Sequence, residues 1–279
     1  MYGIQLCLGL NDSFPLSREE QIRTLHAIGF DGFFSVWDSA ADVAAMRRVA
    51  DAEGMIYQSV HAPYVRTHLL WEPTEETESV VQELIACLHA CADNDIPLMV
   101  AHAIIGFDRH TPTAQGIANY ERIVREAERL HVKIALENTE GEEYLTALMT
   151  HFQGHASVGF CWDSGHELCY NRGKDMLALY GDRLLCTHLN DNLGVRSPAG
   201  HIVFLDDLHL LPFDGIADWQ EIADRLNRHG FAGPLTFELN TFSKAGRYEN
   251  DAYQRMDIRE YLTHAYMRAC RVAALMLRG

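Results

Sequence analysis

Eight short β-rich runs, each followed by a stretch with helical spacing, constrain this chain more than any other feature. The runs occupy residues 3–8, 32–37, 56–61, 97–102, 132–137, 158–163, 184–189 and 234–239. Amphipathic helical patterns lie between them at 17–28, 40–53, 75–92, 114–130, 142–152, 175–180 and 218–229, and a last one spans 257–277. Ser17-Arg-Glu-Glu20 opens the first helix as a capping box. Strict alternation of this kind implies parallel strands joined by right-handed crossovers, and eight units is the number that closes a barrel. The expected fold class is therefore α/β, a (β/α)₈ TIM barrel. An open doubly wound sheet would want a Gly-rich phosphate loop after its first strand, and Leu8-Gly-Leu-Asn11 does not supply one.

No Pro-, Gly- or Ser-rich linker and no charge run divides the 279 residues, so one domain over 1–279 is expected. The longest loops, 190–217 and 240–256, both follow strands, which assigns them to the carboxyl-terminal face where such barrels carry function. Thirty-nine acidic against 23 basic side chains give a net charge of −16, which repels polyphosphate and argues against a nucleic-acid partner. The seven cysteines include no CxxC pair, and Cys87 and Cys91 read as small core residues in a helix, so reduced thiols are expected. Without a basic leader or a long apolar run, cytoplasmic location and no membrane contact are the expectation. The apolar residues of the last helix (Tyr261, Ala265, Met267, Val272, Leu275 and Leu277) suggest first a barrel-closing face and second a homo-oligomer contact.

Six consecutive strands end on ionisable residues, which a barrel would bring to one mouth. These are Ser59-Val-His61, Val100-Ala-His102, Ala135-Leu-Glu137, Cys161-Trp-Asp163-Ser-Gly-His166, Cys186-Thr-His188 and Thr236-Phe-Glu238. Burying so many carboxylates together costs several kcal/mol for each unpaired one, and a cation removes that conflict. Glu137, Asp163, His188 and Glu238 form an oxygen-rich, single-imidazole set that suits Mn²⁺, Mg²⁺ or Co²⁺. His61, His102, Asp207 and His209 could hold a second or third ion, and the added imidazoles would shift the preference towards Zn²⁺. His26, His89, His131, His155, His229 and His264 fall in helices or at their ends and are read as surface or packing residues. Tyr64, Trp37 and Phe107 are candidates to wall the pocket, whereas Trp162 is assigned to the core because its neighbours Cys161 and Asp163 must point the other way.

These residues resemble the xylose isomerase-like barrel superfamily, and within it the sugar phosphate isomerase/epimerase group. The matching pieces are Ser59-Val-His-Ala-Pro, Ala135-Leu-Glu-Asn, Asp163-Ser-Gly-His166, Thr187-His-Leu-Asn-Asp191, Asp207-Leu-His-Leu-Leu-Pro-Phe-Asp-Gly215 with Asp218-Trp, and Phe237-Glu238. The resemblance implies Glu137, Asp163, His188 and Glu238 as metal ligands and His166 as a substrate contact, with Arg196 the nearest candidate for a substrate-binding arginine. His61 and His102 stand with these as substrate contacts or further ligands. The same superfamily includes the endonuclease IV type of nuclease, whose three-zinc site resembles the fuller set of nine residues formed by adding His61, His102, His166, Asp207 and His209.

The expected activity is that of a divalent-metal-dependent isomerase or epimerase on a free or phosphorylated carbohydrate. Chelation of a carbonyl and neighbouring hydroxyl would acidify the intervening C–H and stabilise an enediolate, with Glu137 and Glu238 as the acid/base pair. The alternatives are a metal-dependent phosphodiester hydrolase, a related lyase or dehydratase, and a binding protein without catalysis. A phosphorylated substrate would need cations at the mouth, for which Arg66, Arg109, Arg196, Lys244 and Arg247 are the candidates.

Overall fold

The computed structural model describes residues 3–108 and 111–277. The first half runs β1 (Leu6–Gly9), α1 (Arg18–Ile28), β2 (Gly32–Val36), α2 (Ala40–Glu53), β3 (Ile56–His61), α3 (Thr77–Asp93), β4 (Leu98–His102) and α4 (Ala114–Leu130). The second runs β5 (Lys133–Glu137), α5 (Glu142–His151), β6 (Val158–Asp163), α6 (Ser164–Cys169), α7 (Met176–Tyr180), β7 (Leu184–His188), α8 (Trp219–Arg228), β8 (Leu235–Phe237), α9 (Asp251–Gln254) and α10 (Ile258–Met276). All eight expected strands form, with ends shifted by a few residues.

The strands pair in parallel in the order β7-β6-β5-β4-β3-β2-β1-β8. At the β7/β8 seam a bridge between Leu189 and Phe237 nearly closes the ring. The Thr187 side chain reinforces it, accepting from the Thr236 amide at 3.1 Å and donating to the Thr236 carbonyl at 3.3 Å. The molecule is thus a single-domain TIM barrel, as the strand count implied.

Strand pleating decides which side chains reach the centre, because alternate residues point inward. Leu98, Val100, Ala135, Cys161 and Cys186 form a small apolar cluster of their own, separate from the large one that joins strands to helices. His102, Glu137, Asp163 and His188 each stand two residues beyond a member of that inner cluster and so share its direction. Phe160 and Trp162 fall on the opposite parity and belong to the outer core, as expected for Trp162.

The caps follow the sequence. Ser17 and Glu20 form the reciprocal capping box, and Thr113, Asp175, Asp218 and Asp257 each cap a helix with their side chains. The six-residue α6 was not foreseen: Asp163 caps it directly at the end of β6 by accepting from the His166 amide at 2.6 Å. On α10, Tyr261, Ala265 and Val272 are buried, but Met267 and Leu277 are exposed, so the apolar face is narrower than the sequence pattern suggested. All seven cysteines are free thiols, Cys87 and Cys91 among the core. No helix among the described residues is long and apolar enough to cross a membrane.

Candidate metal centre

The strand ends deliver the expected residues to one place. Glu137 lies at the centre, fully buried. Its Oε1 is 2.9 Å from His188 Nδ1, and its Oε2 is 3.2 Å from His61 Nε2 and 3.1 Å from His102 Nε2. Glu238 Oε2 approaches the same His188 Nδ1 at 3.1 Å from the other side. Four donor atoms from Glu137, Asp163, His188 and Glu238 lie within 4.8 Å of one another, as do those of His61, His102 and Glu137 and those of His166, Asp207 and His209.

Hydrogen bonding behind these side chains fixes what they present. His61 Nδ1 bonds the Ala62 carbonyl at 2.8 Å, His166 Nδ1 the Asn138 carbonyl at 3.0 Å and His209 Nδ1 the Glu238 carbonyl at 3.1 Å. Each Nδ1–H is spent on a carbonyl, so in the neutral ring Nε2 turns a lone pair inward. There it meets a carboxylate: Glu137 for His61, and Asp207 Oδ1 for His166 at 3.5 Å and His209 at 3.0 Å. A lone pair facing a carboxylate is repulsive unless a proton or a cation lies between them. This backing of an imidazole by a carbonyl is the arrangement that orients histidine ligands on metals. His188 is turned the other way round, with Nε2 buried and unpartnered and its ring stacked on Phe34 at 4.4 Å and 14°.

The titration behaviour expresses the same competition. Burial alone would push the Glu137 carboxyl up, but His188, His102 and His61 outweigh it and hold it well below the ordinary range. Burial likewise opposes the charged form of Asp207, which His209 and His166 nevertheless keep well below its usual value. Glu238 is brought to about 2, His188 and His209 overcoming its burial. Burial lowers His188 and His209, yet the facing carboxylates raise His188 well above its normal value and His209 to about 9. Asp163 runs the other way: burial dominates and lifts it to about 6. A set in which Glu137, Asp207 and Glu238 are held ionised and His166, His188 and His209 are made to take protons fits a divalent cation, which would replace those protons.

Several supporting residues gave no separate signal in the sequence. Asn190 Nδ2 donates to both Asp163 oxygens at 3.1 and 2.9 Å, while Asn138 clasps the Asp163 backbone through its amide and carbonyl at 2.8 and 2.9 Å. Both asparagines stand beside ligands in the chain, in Glu137-Asn138 and His188-Leu-Asn190, and that adjacency is the clue that could have found them. Gly165 is needed because a Cβ there would lie 1.9 Å from Asn190 Oδ1.

Above the cluster opens a cavity of about 300 Å³ whose walls include Phe34, Tyr64, Phe107, Tyr170 and Phe204, with Asn11, Arg18 and Lys244 among its polar groups. Tyr64 and Phe107 thus line it as expected, but Trp37 does not and lies on a separate surface groove. Arg196 is not brought to the cavity: its side chain is exposed and its amide donates to Asp206 at 3.0 Å. The residues after His188 turn back on Asp191, which carries the loop and Arg196 away from the opening. Of the other candidate cations, Arg66 pairs with Glu83 and Arg247 with Asp206, while Arg109 lies outside the described residues. Lys244 does line the cavity, 3.3 Å from Asp207 Oδ2 and 3.6 Å above the Phe204 ring centre. The histidines assigned elsewhere stay elsewhere: His89, His155 and His229 pair with Glu126, Glu128 and Asp182 respectively.

Fold and strand-end cluster together define a TIM barrel with a metal-type donor set at its carboxyl-terminal mouth. The chain belongs to the xylose isomerase-like TIM barrel family, whose profile matches residues 22–261. It is 28% identical over 250 residues to the uncharacterized protein y4fM of Sinorhizobium fredii (strain NBRC 101917 / NGR234), covering 77% of this chain and 76% of that one. The same fold occurs in the xylose isomerase domain protein of Planctomyces limnophilus, at TM-score 0.76 and 14% identity over 100% of this chain and 99% of that one. It recurs in the IOLI protein with a binding zinc atom, at 0.74 and 17% over 97% and 98% of the two chains. A further case is D-psicose 3-epimerase with D-tagatose from Clostridium cellulolyticum H10, at 0.69 and 14% over 96% and 99%.

Proposed function

We propose that this chain is a divalent-metal-dependent isomerase or epimerase that moves a proton on the carbon beside the carbonyl of a small carbohydrate. The observation that carries the reading is the pair of glutamates meeting one imidazole nitrogen from two sides, Glu137 at 2.9 Å and Glu238 at 3.1 Å from His188 Nδ1. Similar folds in sugar epimerases and in a zinc-binding protein agree with it.

Glu137, Asp163, His188 and Glu238 would hold the ion, whose Lewis acidity lowers the cost of negative charge on the substrate oxygens. The chain's own groups do the rest. Glu238 is the proton-transfer group open to the cavity, since its side chain is 24% exposed where that of Glu137 is 0%. Glu137 is its proposed partner, buried behind the cavity lining, and a proton taken by one and returned by the other inverts the centre. Tyr64 is pushed up by burial and then by Glu238, Asp207 and Glu137, so its phenol stays neutral and can donate to a sugar hydroxyl. The aromatic walls keep water from the carbanionic carbon.

A second reading rests on three of the donor groups, those of His61 with His102 and Glu137, of His166 with Asp207 and His209, and of Glu137 with Asp163, His188 and Glu238. Such a set could hold up to three ions and serve hydrolysis of a phosphodiester. The net charge of −16 disfavours a polyanionic substrate for it.

Elemental analysis of protein purified without chelator, combined with incubation of ketoses and aldoses in D₂O, separates the two. One ion per chain with deuterium entering beside the carbonyl supports the isomerase. Three zinc ions, cleavage of a phosphodiester and no exchange would overturn it.

A further inference from the structure

The cavity above the metal cluster does not end at its aromatic wall. A second compartment of about 630 Å³ adjoins it on the same face, and Phe107, Glu140, Tyr170 and Phe204 line both. Phe107 and Tyr170 meet edge to face with ring centres 5.7 Å apart, so the partition is a pair of rings rather than backbone. The inner space of about 300 Å³ is at the lower end of the roughly 300–1,000 Å³ found for ligand clefts, enough for one sugar unit and little more. The outer space is larger and open to solvent at its rim.

Its chemistry narrows what can lie there. Asp108, Glu140, Glu142 and Glu143 supply carboxylates to its lining, Arg172 and His201 supply basic groups, and Ile202 and Val203 add apolar surface. Glu140 Oε1 is already engaged by the Gly106 amide at 2.7 Å, and Glu142 pairs with Lys174. Among the described residues that line the groove carboxylates outnumber cations, which disfavours a phosphate or carboxylate group. Hydroxyl donors suit these acceptors, an exposed guanidinium suits ring and hydroxyl oxygens, and the Phe107 and Phe204 faces suit the C–H surface of a sugar.

We propose that the ligand is a two-unit neutral carbohydrate, a glycoside or disaccharide. Its reacting unit occupies the inner cavity, and its second glycosyl unit extends past the shared wall of Phe107, Tyr170 and Phe204 into the outer groove. This rests on the carbohydrate reading of the inner site, and it assigns substrate length to residues 172 and 201–203, none of which is a donor in the metal-type groups.

The test is calorimetric binding of D-fructose and of the ketose-ended disaccharides lactulose, turanose and palatinose to the Mn²⁺-loaded protein, beside its Arg172→Ala and Ile202→Trp variants. The first variant removes the exposed guanidinium, and the second fills the groove. The best disaccharide is expected to bind at least about tenfold tighter than fructose, the weight of one stacked ring or well-made hydrogen bond. Both variants should erase that preference with fructose affinity unchanged. Equal affinity for hexose and disaccharides, no disaccharide binding, or a preference that survives in both variants overturns the proposal. Deuterium exchange from D₂O is read separately: its absence with every sugar alongside an intact preference would sink the isomerase reading and leave the second compartment standing.

Discussion

His166 and Glu167 are neighbours on one short helix, yet they belong to two opposite kinds of charged cluster. Glu167 turns outward to an arrangement built on a permanent cation: Arg225, which also pairs with Asp175, grips it through two bonds of 2.7 and 2.9 Å, and Trp162 Nε1 and the Met176 amide complete it at 2.9 and 3.0 Å. The guanidinium also lies 4.8 Å over the Trp162 ring. His166 turns inward to a cluster with four carboxylates and no arginine, in which imidazoles must take up protons to keep the charges apart. Both are buried. Glu167 is met by a permanent guanidinium charge, whereas the inner cluster sets four carboxylates against imidazoles and the Lys244 ammonium and asks for a further cation from outside.

The largest expected effect that would break this contrast is catalytic. Glu238→Gln should lower exchange of the substrate C–H by roughly 10²–10⁴-fold, the range for a general base, and reduce metal retained through dialysis. Full exchange and full metal content in this variant would remove the inner cluster from the chemistry. Next comes the Glu167 cluster. Arg225→Met should destabilise the fold by about 3–5 kcal/mol by stranding Glu167, while the stabilisation gained on adding Mn²⁺ stays unchanged, as followed by thermal unfolding with and without metal.

Acidity sharpens the comparison further. In the chelated protein Glu238, at about 2 against an ordinary 4.5, contributes stability above pH 4.5 that is lost as pH falls towards 2. His209, at about 9 against 6.5, contributes fully below pH 6.5 and loses its contribution as pH rises through about 9. Asp163, raised to about 6 from 3.8, adds to the same loss, its contribution being present below 3.8 and gone above 6. The chelated protein should therefore be most stable near pH 4–4.5, soften as Asp163 ionises up to about pH 6 and soften again towards pH 9, whereas metal should bind more tightly as pH rises, because ligation displaces those protons. Melting temperatures with EDTA and with Mn²⁺ that run parallel across this range would contradict it. The smallest effect belongs to Arg196→Ala, expected to change kcat/KM less than about twofold and stability by no more than about 0.5 kcal/mol, since the side chain is solvated.

The sequence disclosed the ligands and concealed their support for one physical reason. Period-two patterning places Glu137, Asp163 and His188 above Ala135, Cys161 and Cys186, so the parity of a strand announces which way its last residue faces. The eight-unit count did the same for the barrel. Position along a loop carries no such parity. Arg196 follows His188 closely in the chain but is diverted by the turn at Asp191, and Lys244, much farther on, arrives at the cavity. Phe34 was hidden differently: it lies within β2, and only the closed ring shows it stacked beneath His188. Asn138 and Asn190 act through backbone and carboxylate contacts that have meaning only once β5, β6 and β7 are side by side.

Asp191 accepts four hydrogen bonds, from the amides of Asn192, Phe213 and Ala217 and from Trp219 Nε1. One carboxylate thereby pins both ends of the long segment that follows β7, while Asp207 and His209 sit within the pinned part near its paired return at Leu210. The stretch between 195 and 204 is left free of that duty. It carries His201, Ile202 and Val203 of the outer groove on a stretch separate from the strand ends that bear Glu137, Asp163, His188 and Glu238. A lineage built on this barrel can change what it accepts faster than it changes what it does.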